Sequence, residues 1–240
     1  GIFAYSSYDM QLDEEEKNPR NSSINGFNAG LDFTYFQGKN EIKYGIEMNG
    51  FTTNFAFFND IGQSISQEQN TTELGGFFKY KIAINKFLIE PGIRAQWYAS
   101  LSNFSLEPRL AFKYNYSDRT RFKIAGGFYS QNLISARSDR DVVDLFYGFL
   151  SGPDQTLIDF KGEETNHKLQ KSKHLILGIE HDLFRGFTIN LEGYYKVFPQ
   201  LTNLNRYKIY DASNVPPGTP HLEYSDYIVE KGEAMGADLS

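Results

Sequence analysis

The sequence predicts an all-β protein: an antiparallel, up-and-down transmembrane β-barrel, of which about ten strands are present here. Three observations carry that expectation. Apolar and polar residues alternate with period two over runs longer than the ~5–6 residues usual in globular sheets. The connections between the runs are by turns short and long. Aromatic residues make up 16% of the chain, with 16 Tyr and 21 Phe against a single Trp. A closed core so rich in Tyr would need a partner for every buried hydroxyl. A surface facing lipid between two watery rims needs none, because the ring sits in hydrocarbon and the hydroxyl among headgroups.

The alternation places strands at approximately 2–12, 22–36, 41–58, 71–84, 87–101, 104–117, 120–132, 174–183, 187–198 and 229–240. The clearest is the run in which Leu106, Pro108, Leu110, Phe112, Tyr114 and Tyr116 oppose Glu107, Arg109, Ala111, Lys113 and Asn115. Phe122, Ile124 and Phe128 then oppose Lys123, Ala125 and Tyr129. Ile89, Ile93 and Trp97 oppose Glu90, Arg94 and Gln96. Leu175, Leu177 and Ile179 oppose Ile176, Gly178 and Glu180. Ile189, Leu191 and Tyr195 oppose Asn190, Glu192 and Lys196. An Arg or Lys at mid-depth in lipid costs ~2–4 kcal/mol. The charged face, Glu90, Arg94, Glu107, Arg109, Lys113, Lys123, Glu180, Glu192 and Lys196, is therefore expected to look into a lumen.

Gln37-Gly38-Lys39-Asn40, Asn85-Lys86, Ser117-Asp118-Arg119 and Phe184-Arg185-Gly186 read as tight turns. Long connections are expected at 13–21, 59–70, 133–173 and 199–228, with a short hairpin near Ser102-Asn103 as the exception. Short turns at one end and long loops at the other are what an outer-membrane barrel requires. Two aromatic girdles are expected. Tyr35, Tyr44, Tyr80, Phe87, Tyr114, Tyr116 and Phe122 lie near the short turns. Phe55, Phe57, Trp97, Phe128, Tyr195 and Phe198 lie toward the long loops. Pro91 and Pro108 fall within strands, where they cannot donate to a ladder, so bulges are expected there. Gly1 opens directly on a strand pattern, and the pattern around Met235 is still running at Ser240. An open sheet edge in lipid is untenable. Residues 1–240 are thus expected to be a partial transmembrane β-barrel domain, its remaining strands and any plug domain lying elsewhere.

Composition narrows the function. The absence of Cys removes disulfides and thiolate metal sites. A net charge of −6 argues against a nucleic-acid partner. No apolar run reaches the ~18–20 residues of a spanning helix, and a mean hydropathy of −0.48 suits alternating strands as well as a soluble chain. No leader peptide is recognisable at the start.

The run Leu106-Glu107-Pro108-Arg109-Leu110-Ala111 followed by Tyr114 resembles a barrel segment of TonB-dependent outer-membrane receptors, particularly the Bacteroidetes type. Glu90-Pro91-Gly92-Ile93-Arg94-Ala95 is similar to the adjoining strand, and Gly127-Phe128-Tyr129-Ser130-Gln131 to the strand that enters a large outer loop. His174 to Glu180, a tight turn, and Asn190 to Lys196 resemble a later hairpin, and Gly232 to Leu239 the glycine-punctuated strand after it. The resemblance implies a plugged barrel of about 22 strands. It also implies the cell outer membrane as location and a role in importing a scarce nutrient of the siderophore, cobalamin or glycan class. The implied partners are the outer-membrane bilayer, the remaining strands and plug, the TonB complex, and a surface lipoprotein or larger assembly. The sequence departs from the family in showing no plug, no TonB-box segment and no closing aromatic strand.

Chemistry beyond this is sparse. No serine-hydrolase, P-loop or Rossmann motif occurs, so no enzyme and no cofactor are expected. Asp13-Glu14-Glu15-Glu16 could ligate Ca²⁺, but without EF-hand spacing a solvated loop is the better account. His167, His174, His181 and His221 have no metal-site spacing, and His174 and His181 fall on opposite faces of one strand, so no metal is expected. Function concentrates on loops borne by rigid scaffolds. Substrate contact is accordingly expected first in the loop 133–173, through Arg137, Asp139, Arg140, Asp141, Asp144 and Tyr147. Its apolar run Leu145 to Leu150 is expected as a helix or strand over the mouth. The loop 199–228, with Pro216-Pro217-Gly218, comes second. A porin-like or structural barrel within a larger assembly, a barrel enzyme such as a protease or lipase, and a soluble β-protein are the competing classes.

The face assignment predicts that Leu110→Arg impairs membrane assembly, at a cost of ~2–4 kcal/mol, while Lys113→Ala leaves it nearly unchanged. Heat-modifiable electrophoretic migration reads both; equal effects would reverse the assignment.

Overall fold

A computed structural model describes residues 1–12, 20–59, 61–137, 147–151, 168–205 and 207–240. The strands are β1 (Ile2–Leu12), β2 (Arg20–Gln37), β3 (Asn40–Phe58), β4 (Ser64–Ile84), β5 (Phe87–Tyr98), β6 (Asn103–Asn115), β7 (Thr120–Gln131), β8 (Leu133–Arg137), β9 (Tyr147–Ser151), β10 (Gln170–Phe184), β11 (Phe187–Leu204) and β12 (Tyr227–Leu239). Ten of them form one antiparallel sheet in the order β1-β2-β3-β4-β5-β6-β7-β10-β11-β12. β8 and β9 pair only with each other. The large sheet is not closed: β1 and β12 are its two edges. Among the described residues helix is confined to two 3₁₀ turns, and no helix there is long and apolar enough to cross a membrane.

One end of the sheet is made of tight turns. Gln37 pairs with Asn40, Ile84 with Phe87 and Phe184 with Phe187, leaving two residues to reverse each chain. Gly38, Asn85 and Gly186 take positive φ there, as such turns demand. At the other end one expectation fails. The stretch 59–70 is not a long loop: β4 begins at Ser64, and Phe58 pairs directly with it. β11 likewise continues to Leu204 rather than ending near 198. Ser64–Asn70 was unreadable as strand because both faces there carry polar side chains, so period-two alternation lapses although the ladder runs on.

Burial is inverted relative to a soluble sheet. Leu110, Ile124 and Leu191 are 54%, 42% and 47% exposed, whereas Thr53, Ser22 and Glu107 are at most 2% exposed. The sheet curls so that its polar face is the enclosed side. Phe55 on β3 packs against Met10 and Leu12 of β1 and against Leu204 and Tyr227 of the last hairpin. The outer aromatics form chains near the tight turns. Phe33 stacks on Tyr44, Phe87 on Tyr114 and Phe184 on Phe187, and Tyr116 meets both Tyr114 and Phe122 edge-on. Trp97, Phe104, Phe128 and Tyr195 are exposed toward the other end. Phe55 and Phe198 are corrections to the expected girdle. Phe55 is 2% exposed, and Phe198 lines an interior recess.

The prolines do not produce bulges. Pro91 keeps its pairing with Leu110, and the β4–β5 ladder merely skips Pro91 and the adjoining Glu90 without changing register. Pro108 does more. Its carbonyl lies against Gly127, so its missing N–H falls on the β7 side. The β6–β7 ladder stops at Arg109–Gly127, although β6 remains paired with β5 and β7 with β10 beyond that point. Register shifts occur instead in β10–β11, between Lys171 and Lys173 and between Asp182 and Phe184, and in β11–β12 between Phe198 and Leu201.

Glycines on the enclosed face act as slots. Gly75 on β4 lies opposite Glu47 of β3, and a Cβ there would meet the Glu47 side chain at 2.9 Å. The empty place lets Glu47 reach across β4 to Arg94 on β5. Gly178 on β10 does the same between Lys123 and Glu192, which lie on its two flanking strands. Gly76 faces the apolar side, with nothing nearer than 3.8 Å. Gly75→Val is therefore expected to destabilise by ~1–3 kcal/mol through overpacking, and Gly76→Val to be far milder. Urea unfolding of the two variants in lipid vesicles separates them.

Candidate functional site: the enclosed polar face and the mouth

The nine charged residues expected to face a lumen all lie on the enclosed face, opposite the exposed Leu and Ile positions. Seven are in ion pairs, most of them between neighbouring strands. Lys79 meets Glu90 at 2.6 Å, Glu47 meets Arg94, and Arg109 meets Glu107 at 2.7 Å. Lys123 sits 2.5 Å from Glu180 and 4.0 Å from Glu192. Arg121 bridges Glu180 at 2.5 Å and Asp182 at 2.8 Å near the tight turns. Lys113 is directly opposite Lys123, a like pair that the neighbouring Glu180 makes tolerable. Lys196 leans on the Tyr194 ring at 4.9 Å and has no carboxylate partner among the described residues. Seven of the nine thus serve first to neutralise a neighbouring charge.

Glu107 closes the gap that Pro108 opens. Its carboxylate accepts from the Ser130 backbone N–H at 2.9 Å and the Ser130 hydroxyl at 2.6 Å, replacing ladder bonds with side-chain bonds. The Ser130 hydroxyl also lies 3.0 Å from the Tyr98 hydroxyl. Tyr98 is buried with Leu101 and Leu169. A buried carboxylate holding Arg109 and two hydrogen bonds from Ser130 was not foreseeable, because the sequence does not show where two strands separate.

Beside this knot the aromatic and cationic groups accumulate. The Arg109 guanidinium lies 4.4 Å over the Tyr129 ring, and Tyr129 stacks on His174 at 4.4 Å. His174 meets Phe198 edge-on. These residues line two adjoining recesses of about 390 Å³ each, one toward Glu47 and Lys79, the other toward Lys171 and Lys196. Sequence reasoning assigned Arg109 and Lys196 to the inner face but did not bring them together with Tyr129 and His174.

The expected substrate loop is only partly described. Asp139, Arg140, Asp141 and Asp144 lie outside the described residues, as do Asp13-Glu14-Glu15-Glu16 and His167. Arg137 ends β8 and Tyr147 begins β9, and the two are register partners. The apolar run expected over the mouth thus includes a strand, Tyr147–Ser151. The β8–β9 ribbon lies across the enclosed side, with β9 beside β2, β3 and β4 and β8 beside β11.

The connection from β11 to β12 is fastened to that between β3 and β4. The Lys208 ammonium, 5% exposed, donates to the Ser64 carbonyl at 3.1 Å and pairs with Asp226 at 2.5 Å. Asn59 donates to the Lys208 carbonyl at 2.8 Å. Within this connection burial holds His221 below the ordinary histidine range, and its ring meets Tyr224 edge-on. Among the described residues no three His, Asp or Glu side chains converge as metal ligands.

No protein-family model and no curated protein matches this sequence. Solved structures do. A mutant of the ferric enterobactin receptor PfeA from Pseudomonas aeruginosa, in complex with enterobactin, matches with a TM-score of 0.63 at 12% identity, over 99% of this chain and 38% of that one. The siderophore receptor PirA from the same organism gives 0.59 at 13%, over 99% and 42%. The copper transporter OprC gives 0.55 at 12%, over 99% and 40%. At such identities the likeness is one of fold. The ten-stranded antiparallel sheet matches β-barrel fragments of outer-membrane transporters, and it spans less than half the length of each.

His221 supplies a pH test of the mouth. Its folded pKa is depressed, so the packed connection favours the neutral ring and loses stability as pH falls through the unfolded value of about 6.5 and below. Limited proteolysis within 205–226 is expected to be faster at about pH 5 than at about pH 7.5, and His221→Gln to remove that difference.

Proposed function

We propose that this chain is part of the wall and mouth of a TonB-dependent outer-membrane receptor, of the Bacteroidetes type, that imports a scarce nutrient. The observation that carries the reading is the inverted burial: a single-layer sheet with hydrocarbon-like residues on its exposed face and paired charges on its enclosed one. Only a lipid exterior and a watery or protein-filled lumen make both faces stable at once. The fold likeness to two siderophore receptors and a copper transporter supports import. The motifs around Pro91, Pro108 and Gly178 support the family and its bacterial type. In this reading β1 and β12 pair with further strands of a barrel of about 22, and a plug supplied by the rest of the protein sits in the lumen with water between it and the wall. The siderophore, cobalamin and glycan classes are the candidate cargoes. The substrate first meets the connections 132–169 and 205–226, where Arg137 and Tyr147 lie, and no covalent chemistry is done on it. TonB and a surface lipoprotein are the expected partners.

The whole reading frame tests this. It is expected to encode a plug upstream of Gly1, to fractionate with the outer membrane, and to support uptake that a protonophore abolishes. Steady open-channel conductance without a plug would identify a porin instead.

A further inference from the structure

We infer that the recess between β7, β10 and β11 is a binding site for a small, multiply charged oxyanion. It is lined by Arg94, Arg109, Lys171, His174 and Lys196 against one carboxylate, Glu107. Arg94 and Arg109 each have a carboxylate partner. Lys171 and Lys196 have none among the described residues, so the recess carries a positive excess, whereas Lys79, Arg121 and Lys123 elsewhere on the enclosed face each meet a carboxylate. A cleft lined by one sign of charge, between low-dielectric walls, concentrates counter-ions of the opposite sign.

A second observation points to the same ligand. The Nε of Arg109 is buried with no hydrogen-bond partner. Buried donors are normally satisfied, and an orphan beside a cavity marks the place for an acceptor atom. Arg109 cannot turn away to find one. Its guanidinium is pinned by Glu107 at 2.7 Å and by Tyr129, which His174 backs from the other side. The site is therefore pre-shaped, which reduces the cost of ordering on binding. The ammonium groups of Lys171 and Lys196 supply mobile point charges, and the stacked Arg109 supplies a fixed planar donor. Carboxylates and phosphates share the required chemistry, namely two or more negatively charged oxygens.

This inference rests on the polar face being a water-accessible lumen, and the test separates the two ideas. In the full-length protein purified in detergent, benzene-1,3,5-tricarboxylate and pyrophosphate are titrated calorimetrically. Saturable binding of either is expected, weakened on the order of 10-fold or more by Lys171→Gln with Lys196→Gln, and retained by Lys171→Arg with Lys196→Arg. Heat-modifiable migration confirms that all variants are folded. Absence of binding, or binding indifferent to the Gln pair, would overturn the site. A Ser172→Cys variant labelled by a charged maleimide reports on the lumen. Labelling without anion binding sinks the site alone, whereas a folded barrel that resists labelling removes the lumen and the site together.

Discussion

Among the described residues only the short β8–β9 ribbon lies across the large sheet, and the rest of the structure follows from the lack of a full second layer. A sheet ordinarily hides one face against helices or another sheet. Here the large sheet stands alone, so each face must be stable against whatever bathes it. The outer face meets that demand with Leu, Ile, Phe and Tyr. The inner face meets it with charges held in pairs. The backbone satisfies itself along the ladders except at the two edge strands and where β6 and β7 part beyond Arg109–Gly127.

The inner ion pairs depend on details of spacing. Long side chains on adjacent strands can pair on the diagonal, as Lys79 does with Glu90, two residues from its register partner Gly92. Reaching two strands away requires the intervening position to be vacant, which is what Gly75 and Gly178 provide. The high glycine content is therefore partly electrostatic in purpose: it lets long charged side chains lie flat along the wall. With most of its charge spoken for, the inner face draws attention to Lys171 and Lys196, which are not.

Much of the fold was legible in the sequence because period two is a strong signal wherever the two faces see different solvents. Leu106 to Tyr116 and Ile189 to Val197 announce themselves for that reason. The signal fails where polar side chains occupy both faces. Ser64 to Asn70 and Gln200 to Leu204 are strands in which burial alternates but residue type does not, so the sequence there reads as loop. The prolines misled in a different way. Sequence says that Pro108 cannot donate, but not on which side the missing bond falls, so a bulge was expected where a separation occurs. The site was less legible still. The register that brings Arg109, Tyr129 and His174 together joins residues far apart in the chain, and nothing local encodes it. Phe198 looked like an outer aromatic because it follows Tyr195 and Val197 at the end of a clear run, yet its ring meets His174 on the inner side.

The parting of β6 from β7 has a mechanical consequence. Below Arg109 the sheet is one continuous plate, in which any tilt of one strand drags its neighbours through the ladder. Above it the plate is slit, and the two leaves are laced by the knot of Glu107, Ser130 and Tyr98. Such leaves can lean apart by stretching one side-chain knot while every remaining rung stays intact, so the rim on either side of the slit is compliant and the base is stiff.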